Sequence, residues 1–247
     1  MKSTNKILER IRNGEKALGL ATQYPSERMV EGAARMRLDF ISLDGQHGVV
    51  SPEQVEGICR VADGYGITPA MRVPDQSEST LFLYLDRGMK MITVPNLQTA
   101  EEAEKLVQYT YYAPKGRRSA TSLRVIFSAG GDASDPQAFF DFTNENTILV
   151  AQLESITAFN NLDEILEVDG MDYFAGGPLD IAQSMGLGGQ PNHPDCVEAF
   201  QQACDKVRAA GKHMIGDHTV SVDVFSAVHD GVKAMMAEHG RESQLGM

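Results

Sequence analysis

The sequence has no tryptophan and three cysteines, and its 22 Lys and Arg are outnumbered by 34 Asp and Glu. Each shortage excludes something. Cys59, Cys196 and Cys204 are odd in number, form no CxxC motif and stand at no Cys/His metal spacing, so neither a disulfide framework nor a thiolate zinc site is expected. Cys196 and Cys204 recur at i, i+8, on one face of a helix. A net charge of −12 repels phosphate backbones and argues against a nucleic-acid partner. No apolar run approaches the roughly 18 residues that a membrane span needs, and the opening MKSTNKILERIRNGEKA has no apolar signal-peptide core. The expectation is a cytoplasmic protein with no membrane and no nucleic acid among its partners. No Pro/Ser-rich linker or charge block interrupts the 247 residues, which reads as one domain over 1–247.

What is present is a rhythm. After a helix near Asn5–Gly14, short apolar runs alternate with helical patterns: Leu18–Thr22, Phe40–Gly45, Thr68–Pro74, Lys90–Pro95, Ile148–Glu154, Asp172–Gly177, His213–His218 and Val232–Glu238. The intervening segments include SERMVEGAARMR, SPEQVEGICRVADGYG, TAEEAEKLVQYTYY, DCVEAFQQACDKVRAAG and SVDVFSAVHDG, several with a Ser, Thr or Asp N-cap and a closing glycine. Strict alternation with near-continuous apolar strands implies a parallel sheet covered by helices. Eight such units in this length predict an α/β fold of the (β/α)8 TIM-barrel type. One irregularity, residues 113–146, is an insertion read as a lid or a subunit contact. With the last strand placed at Val232–Glu238, a C-terminal helix is short or absent.

In such a barrel the chemistry sits at the C-terminal ends of the strands. That filter selects Asp44-Gly45-Gln46-His47, Arg72, Gln152, Glu154, Gly177, Pro178 and Asp180. The set combines one imidazole, one guanidinium and carboxylates around one mouth, as metal-assisted acid/base chemistry on an anionic substrate requires. Lys90, Lys212 and Lys233 fall at strand starts, on the opposite face, which disfavours a Schiff base. Two carboxylates without thiolate or clustered histidine favour a hard divalent cation, Mg²⁺ or Mn²⁺ with Co²⁺ as a further candidate, able to chelate a 2-keto carboxylate and stabilise an enolate. Glu154 and Asp180 taken singly read equally well as caps of the helices that follow. Gly186–Gly189 is as readily a loop as a phosphate cradle, and a phosphorylated substrate has no obvious clamp. His213, His218, His229 and His239 show no ligand spacing and read as structural.

The motifs DFISLDGQHG (39–48), MRVP (71–74), YLDRGMKMITVPNLQTAEEA (84–103), YAPKGRR (112–118), QLES (152–155) and GPLDIAQSMGLGGQPNHP (177–194) resemble those of the HpcH/HpaI aldolase family, metal-dependent class II pyruvate aldolases with a TIM-barrel fold. The resemblance implies cleavage of a 4-hydroxy-2-keto acid to pyruvate and an aldehyde through a metal-stabilised enolate. It implies Glu154 and Asp180 as metal ligands, Arg72 as the enolate's partner and His47 as acid/base for the aldehyde-side hydroxyl. Asp86 matches a carboxylate that pairs with the histidine of an adjoining subunit, so a homo-oligomer with its site near an interface is implied. Gln152, Gly177, Pro178 and Leu179 match the pyruvate-contacting stretch.

The chain departs from the family pattern in several places: Gln46 replaces a Glu, Leu179 an Ala and Ser119 a Gly, and the family's aromatic after the first strand is absent, with Gln23 and Tyr24 nearby. Decarboxylation of a 2-keto diacid or acyl-CoA lyase chemistry would use the same enolate machinery, and a catalytically silent barrel acting as a binding subunit is the rival of another class.

Overall fold

The computed structural model describes residues 2–120, 122–130 and 134–245. The short apolar runs pair as strands because none is long enough to be a buried helix, and each is followed by a turn that starts one. The strands are β1 (Ala17–Thr22), β2 (Phe40–Asp44), β3 (Thr68–Arg72), β4 (Met91–Val94), β5 (Ile148–Leu153), β6 (Tyr173–Gly176), β7 (His213–Met214) and β8 (Thr219–Asp223). Helix α1 (Lys6–Arg12) precedes the sheet. Between the strands lie α2 (Glu27–Arg35), α3 (Pro52–Tyr65), α4 (Glu78–Leu85) and α5 (Ala100–Thr110), then α6 (Leu123–Ser128) and α7 (Pro136–Glu145) within the insertion. They are followed by α8 (Ile156–Asn160), α9 (Leu162–Leu166), α10 (Pro178–Ser184), α11 (Pro194–Ala209), α12 (Ile215–His218) and α13 (Val224–Glu238).

All eight strands join one parallel sheet in the order β7-β6-β5-β4-β3-β2-β1-β8. Among the described residues β7 and β8 share no ladder. The two end strands meet instead on α12, which packs against β6, β7 and β8. The sheet is therefore curled, with its two end strands linked by α12.

Helices cover the outside of the sheet. Ile41, Leu43, Ile92, Leu149 and Leu153 bury there against Val30, Ile58, Leu81, Leu106 and Ile165. A second apolar cluster of Ala17, Phe40, Ala70, Met91, Ile148 and Val150 is stoppered by Ile7 of α1. The N-cap of α1, buried Asn5, bonds the carbonyls of Lys90 and Asn146 and so fixes that helix beneath the sheet. All three cysteines are buried and unpaired, and burial pushes the Cys59 thiol up to about 12. No helix of the described residues is long and apolar enough to cross a membrane.

The last third of the chain departs from the expected pattern. Val232–Glu238 is helix, not the eighth strand: KAMMAE is composed of strong helix formers, and propensity prevails where little burial opposes it. The expected strand His213–His218 is strand only over His213–Met214 and turns into α12, and the eighth strand is Thr219–Asp223, a TVSVD alternation whose last three residues open the segment SVDVFSAVHDG that was expected to be helical. The chain consequently ends in a 15-residue helix, α13, where a short or absent one was expected. Part of the insertion packs near the N-terminal ends of the strands, through Arg124 to Asp63 and Ser3 to Ser128, while its Arg117 reaches Glu78 in the first turn of α4.

Candidate active site

Register places the site. In the β2–β3 ladder Asp44 stands opposite Arg72, so the two last residues of neighbouring strands meet at the mouth. Arg72 donates from Nε to Asp44 Oδ1 at 3.0 Å and from a terminal nitrogen to Oδ2 at 2.6 Å, a bidentate pair. Asp44 Oδ1 also accepts the backbone N–H of Gln46 at 3.1 Å and of His47 at 3.2 Å. One carboxylate thus fixes both the guanidinium and the turn carrying the imidazole. Burial alone would raise its pKa, but the Arg72 charge and the two amides prevail and hold it below the usual carboxylate value. His47 itself is exposed. Beside the pair lies a cleft of about 210 Å³, lined by Thr22, Gln23, Ser42, Asp44, Arg72 and Asp223.

The second half comes from β5 and β6. Leu153 pairs with Gly176, which brings the next residues, Glu154 and Gly177, side by side. A Cβ on Gly177 would stand 2.4 Å from Glu154 Oε2, so glycine leaves the room that oxygen occupies, and Asp180 Oδ2 lies 3.4 Å from the same point. Glu154 is buried and Asp180 exposed, in the first turn of α10. Oε1 of Glu154 accepts the Asn96 amide at 2.8 Å, and Oε2 accepts Gln152 Nε2 at 2.9 Å. Burial first, then the Asp180 charge, raises the Glu154 pKa, against the Asn96 amide, Arg72 and His47. Arg72, His47, Glu154 and Asp180 therefore share one electrostatic neighbourhood.

Two convergent carboxylates, one of them desolvated, are a donor set that fits a hard divalent cation. Among the described residues no third His, Cys, Asp or Glu joins them, which leaves coordination positions for water and substrate. Gln152 Oε1 is buried and, among the described residues, has no hydrogen-bond partner.

Of the residues singled out from sequence, His47, Arg72, Gln152, Glu154, Gly177, Pro178 and Asp180 fall at this end of the sheet. Leu179 does too, but its side chain is 63% exposed. Asp86 does not. It caps the C-terminus of α4, below the start of β4, and its Oδ1 pairs with Arg118 at 2.8 Å. Asn96 was missed. Its φ of +56° turns the chain after β4 so that its N–H meets Glu154, and Asn is, after glycine, among the residues best suited to that conformation. The signal was the Pro-Asn pair directly after a strand.

A profile of the HpcH/HpaI aldolase/citrate lyase family matches residues 20–246. A 2-keto-3-deoxy-L-rhamnonate aldolase of Escherichia coli O17:K52:H18 (strain UMN026) is 31% identical over 209 residues, 85% of this chain and 77% of that one. A protein of the same name from Shigella sonnei (strain Ss046) matches to the same extent. The crystal structure of an HpcH/HpaI aldolase from Desulfitobacterium hafniense DCB-2 superposes with a TM-score of 0.85 at 19% identity, covering 97% of this chain and 98% of that one. The citrate synthase SbnG superposes at 0.82 and 24%, with the same coverage. At those identities the structural likeness is one of fold.

Proposed function

The chain belongs to the HpcH/HpaI aldolase/citrate lyase family, and from that premise we propose that it cleaves a 4-hydroxy-2-keto acid of the 2-keto-3-deoxy type to pyruvate and an aldehyde, and runs the reverse addition. It is an enzyme, a carbon–carbon lyase. The observation that carries the reading is the pairing of buried Glu154 with Asp180 around Gly177, opposite an Arg72 whose orientation is already fixed.

A divalent cation held by Glu154 and Asp180, with Mg²⁺, Mn²⁺ and Co²⁺ as candidates, supplies Lewis-acid polarisation of the keto acid. The remaining work belongs to side chains. Arg72, held by Asp44, presents a cation to the oxygen that gains charge as the C3–C4 bond breaks. Gln152 keeps one N–H on Glu154 and has a second for a substrate oxygen. Pro178 has no N–H to give, so the first-turn amides of Leu179 and Asp180 meet the carboxylate beside Gly177. His47, exposed on its turn, takes the proton of the C4 hydroxyl, and the enolate then picks up a proton at C3 to leave pyruvate.

The active species is a homo-oligomer. Asp86 and His47 lie at opposite ends of one chain's sheet, so a pair between them needs a second copy. The sheet is a (β/α)8 barrel whose β7–β8 seam is made through α12.

The test is pyruvate release from 2-keto-3-deoxy-L-rhamnonate. EDTA treatment abolishes it, and added Mg²⁺, Mn²⁺ or Co²⁺ restores it. Full-rate release after metal removal, or decarboxylation of oxaloacetate with no aldol cleavage, would sink the reading.

A further inference from the structure

Arg118 is an expensive residue to have where it is. Its side chain is 1% exposed, and among the described residues its ion-pair partner is Asp86 alone and its buried Nε has no acceptor. A buried guanidinium with one partner and an orphaned N–H costs stability compared with an apolar side chain of the same shape. The surrounding backbone is nonetheless built to hold it. The Arg118 amide donates to Tyr111 O at 2.9 Å and the Arg117 amide to Gln108 O at 2.8 Å. Gly116 packs so closely on the end of α5 that a Cβ would stand 2.4 Å from Tyr111 O. Tyr112, clamped by Asn144 through two hydrogen bonds, places its ring 4.7 Å beneath the guanidinium. The partner is held as firmly: Ser122 Oγ donates to the Asp86 carbonyl at 2.8 Å, and the Asp86 amide closes α4 on Phe82 O.

Fixed on both sides, the pair leaves one group over. Arg118 meets Asp86 Oδ1 only, the Asp86 side chain is 38% exposed, and among the described residues no hydrogen bond reaches Oδ2. We propose that Arg118 is a positioning residue for carbon–carbon cleavage: it locks Asp86 so that the free oxygen is presented to the His47 imidazole of a second copy of this chain. This rests on the reading of Asp86 given above. Without Arg118 the carboxylate turns freely about its own bonds, and the acid/base group for the C4 hydroxyl loses its orientation. The pyruvate half of the site, with Arg72, Glu154 and Asp180, is untouched.

That separation supplies the test. Cleavage of 2-keto-3-deoxy-L-rhamnonate needs the oriented imidazole; exchange of pyruvate C3 protons with D2O, followed by NMR, needs only the pyruvate half. Arg118→Met and Arg118→Lys are expected to lower kcat for cleavage by about 10–100-fold, the usual cost of losing a group that orients another. Pyruvate exchange should stay within about 2-fold, and Arg118→Met combined with Asp86→Asn should cleave no more slowly than Asp86→Asn alone. Cleavage and exchange falling together, additive losses in the double variant, or loss of folded protein in both single variants would make Arg118 a fold residue and overturn the proposal. If Asp86→Asn itself cleaves at the wild-type rate, the role given to Asp86 fails first. If Asp86→Asn is slow and both Arg118 variants are not, only the positioning role fails.

Discussion

At the scale of single residues, Asp44 shows how one carboxylate organises a site by holding its neighbours. It holds Arg72 by both oxygens and the His47 turn by two amides. Asp44→Ala therefore frees both groups at once and should lower kcat for cleavage by about 10–100-fold. Arg72→Ala in the Asp44→Ala background should add little, and steady-state kinetics of the double variant checks it.

Glu154 makes the converse point. Its folded pKa is raised, so the native state binds more protons than the unfolded chain, and stability falls as pH rises above the ordinary Glu value. Glu154→Gln removes that burden. The metal-free variant should melt higher than the metal-free wild type at pH 7, yet gain nothing from Mn²⁺. The wild type should gain about 2.7 kcal/mol at a hundredfold excess over Kd, roughly 5–10 °C at this length. Thermal melts of both proteins, with and without Mn²⁺, decide it; an unchanged Mn²⁺ response in Glu154→Gln removes Glu154 from the ligand set.

At the scale of elements, the seam at α12 is where the curled sheet depends on side chains instead of a ladder. His218 Nε2 lies 3.2 Å from His213 Nδ1, and the two rings pack edge to face beside Tyr173. Burial, then the neighbouring His213, lowers the His218 pKa; Lys16 acts the same way, and Asp217, itself paired with Arg208, opposes them. A base with a lowered folded value keeps its stabilisation above the unfolded pKa of about 6.5 and loses it as pH falls toward the folded one. The melting temperature should drop on acidification through that window. His218→Gln should flatten the drop in paired Tm–pH curves with EDTA present; identical slopes would remove the seam as its source.

At the scale of the whole molecule, Phe225, Val228, Val232 and Met235 form a stripe on α13 at spacings of three, four and three, each 43–57% exposed. Val220 and Val222 of β8 and Leu18 of β1 are exposed to a similar degree. In the proposed homo-oligomer this apolar face is the one a second copy would cover. Val228→Asp with Val232→Asp should shift sedimentation toward the monomer. It should also abolish cleavage, since His47 and Asp86 then have no way to meet. A fully active monomer would refute the shared site.

The composition decided a great deal without any structure. Apolar runs of strand length separated by capped helical patterns admit few arrangements other than a parallel sheet wrapped in helices, and the strand ends then nominate Arg72, Gln152, Glu154 and Asp180. These are consequences of local periodicity and chain connectivity, which sequence carries directly. Where burial is weak, as in TVSVD and VKAMMAE near the end of the chain, periodicity lost its meaning and the strand and helix were exchanged. Other features depend on contacts between residues far apart in sequence: the bidentate hold of Asp44 on Arg72, the Asn96 amide on Glu154, the α12 seam and the single-sided grip of Arg118 on Asp86. Each is set by the register of neighbouring strands or by a turn packed on a distant helix. Only the tertiary structure could decide them, because the energy that selects a partner across space leaves no period in the chain.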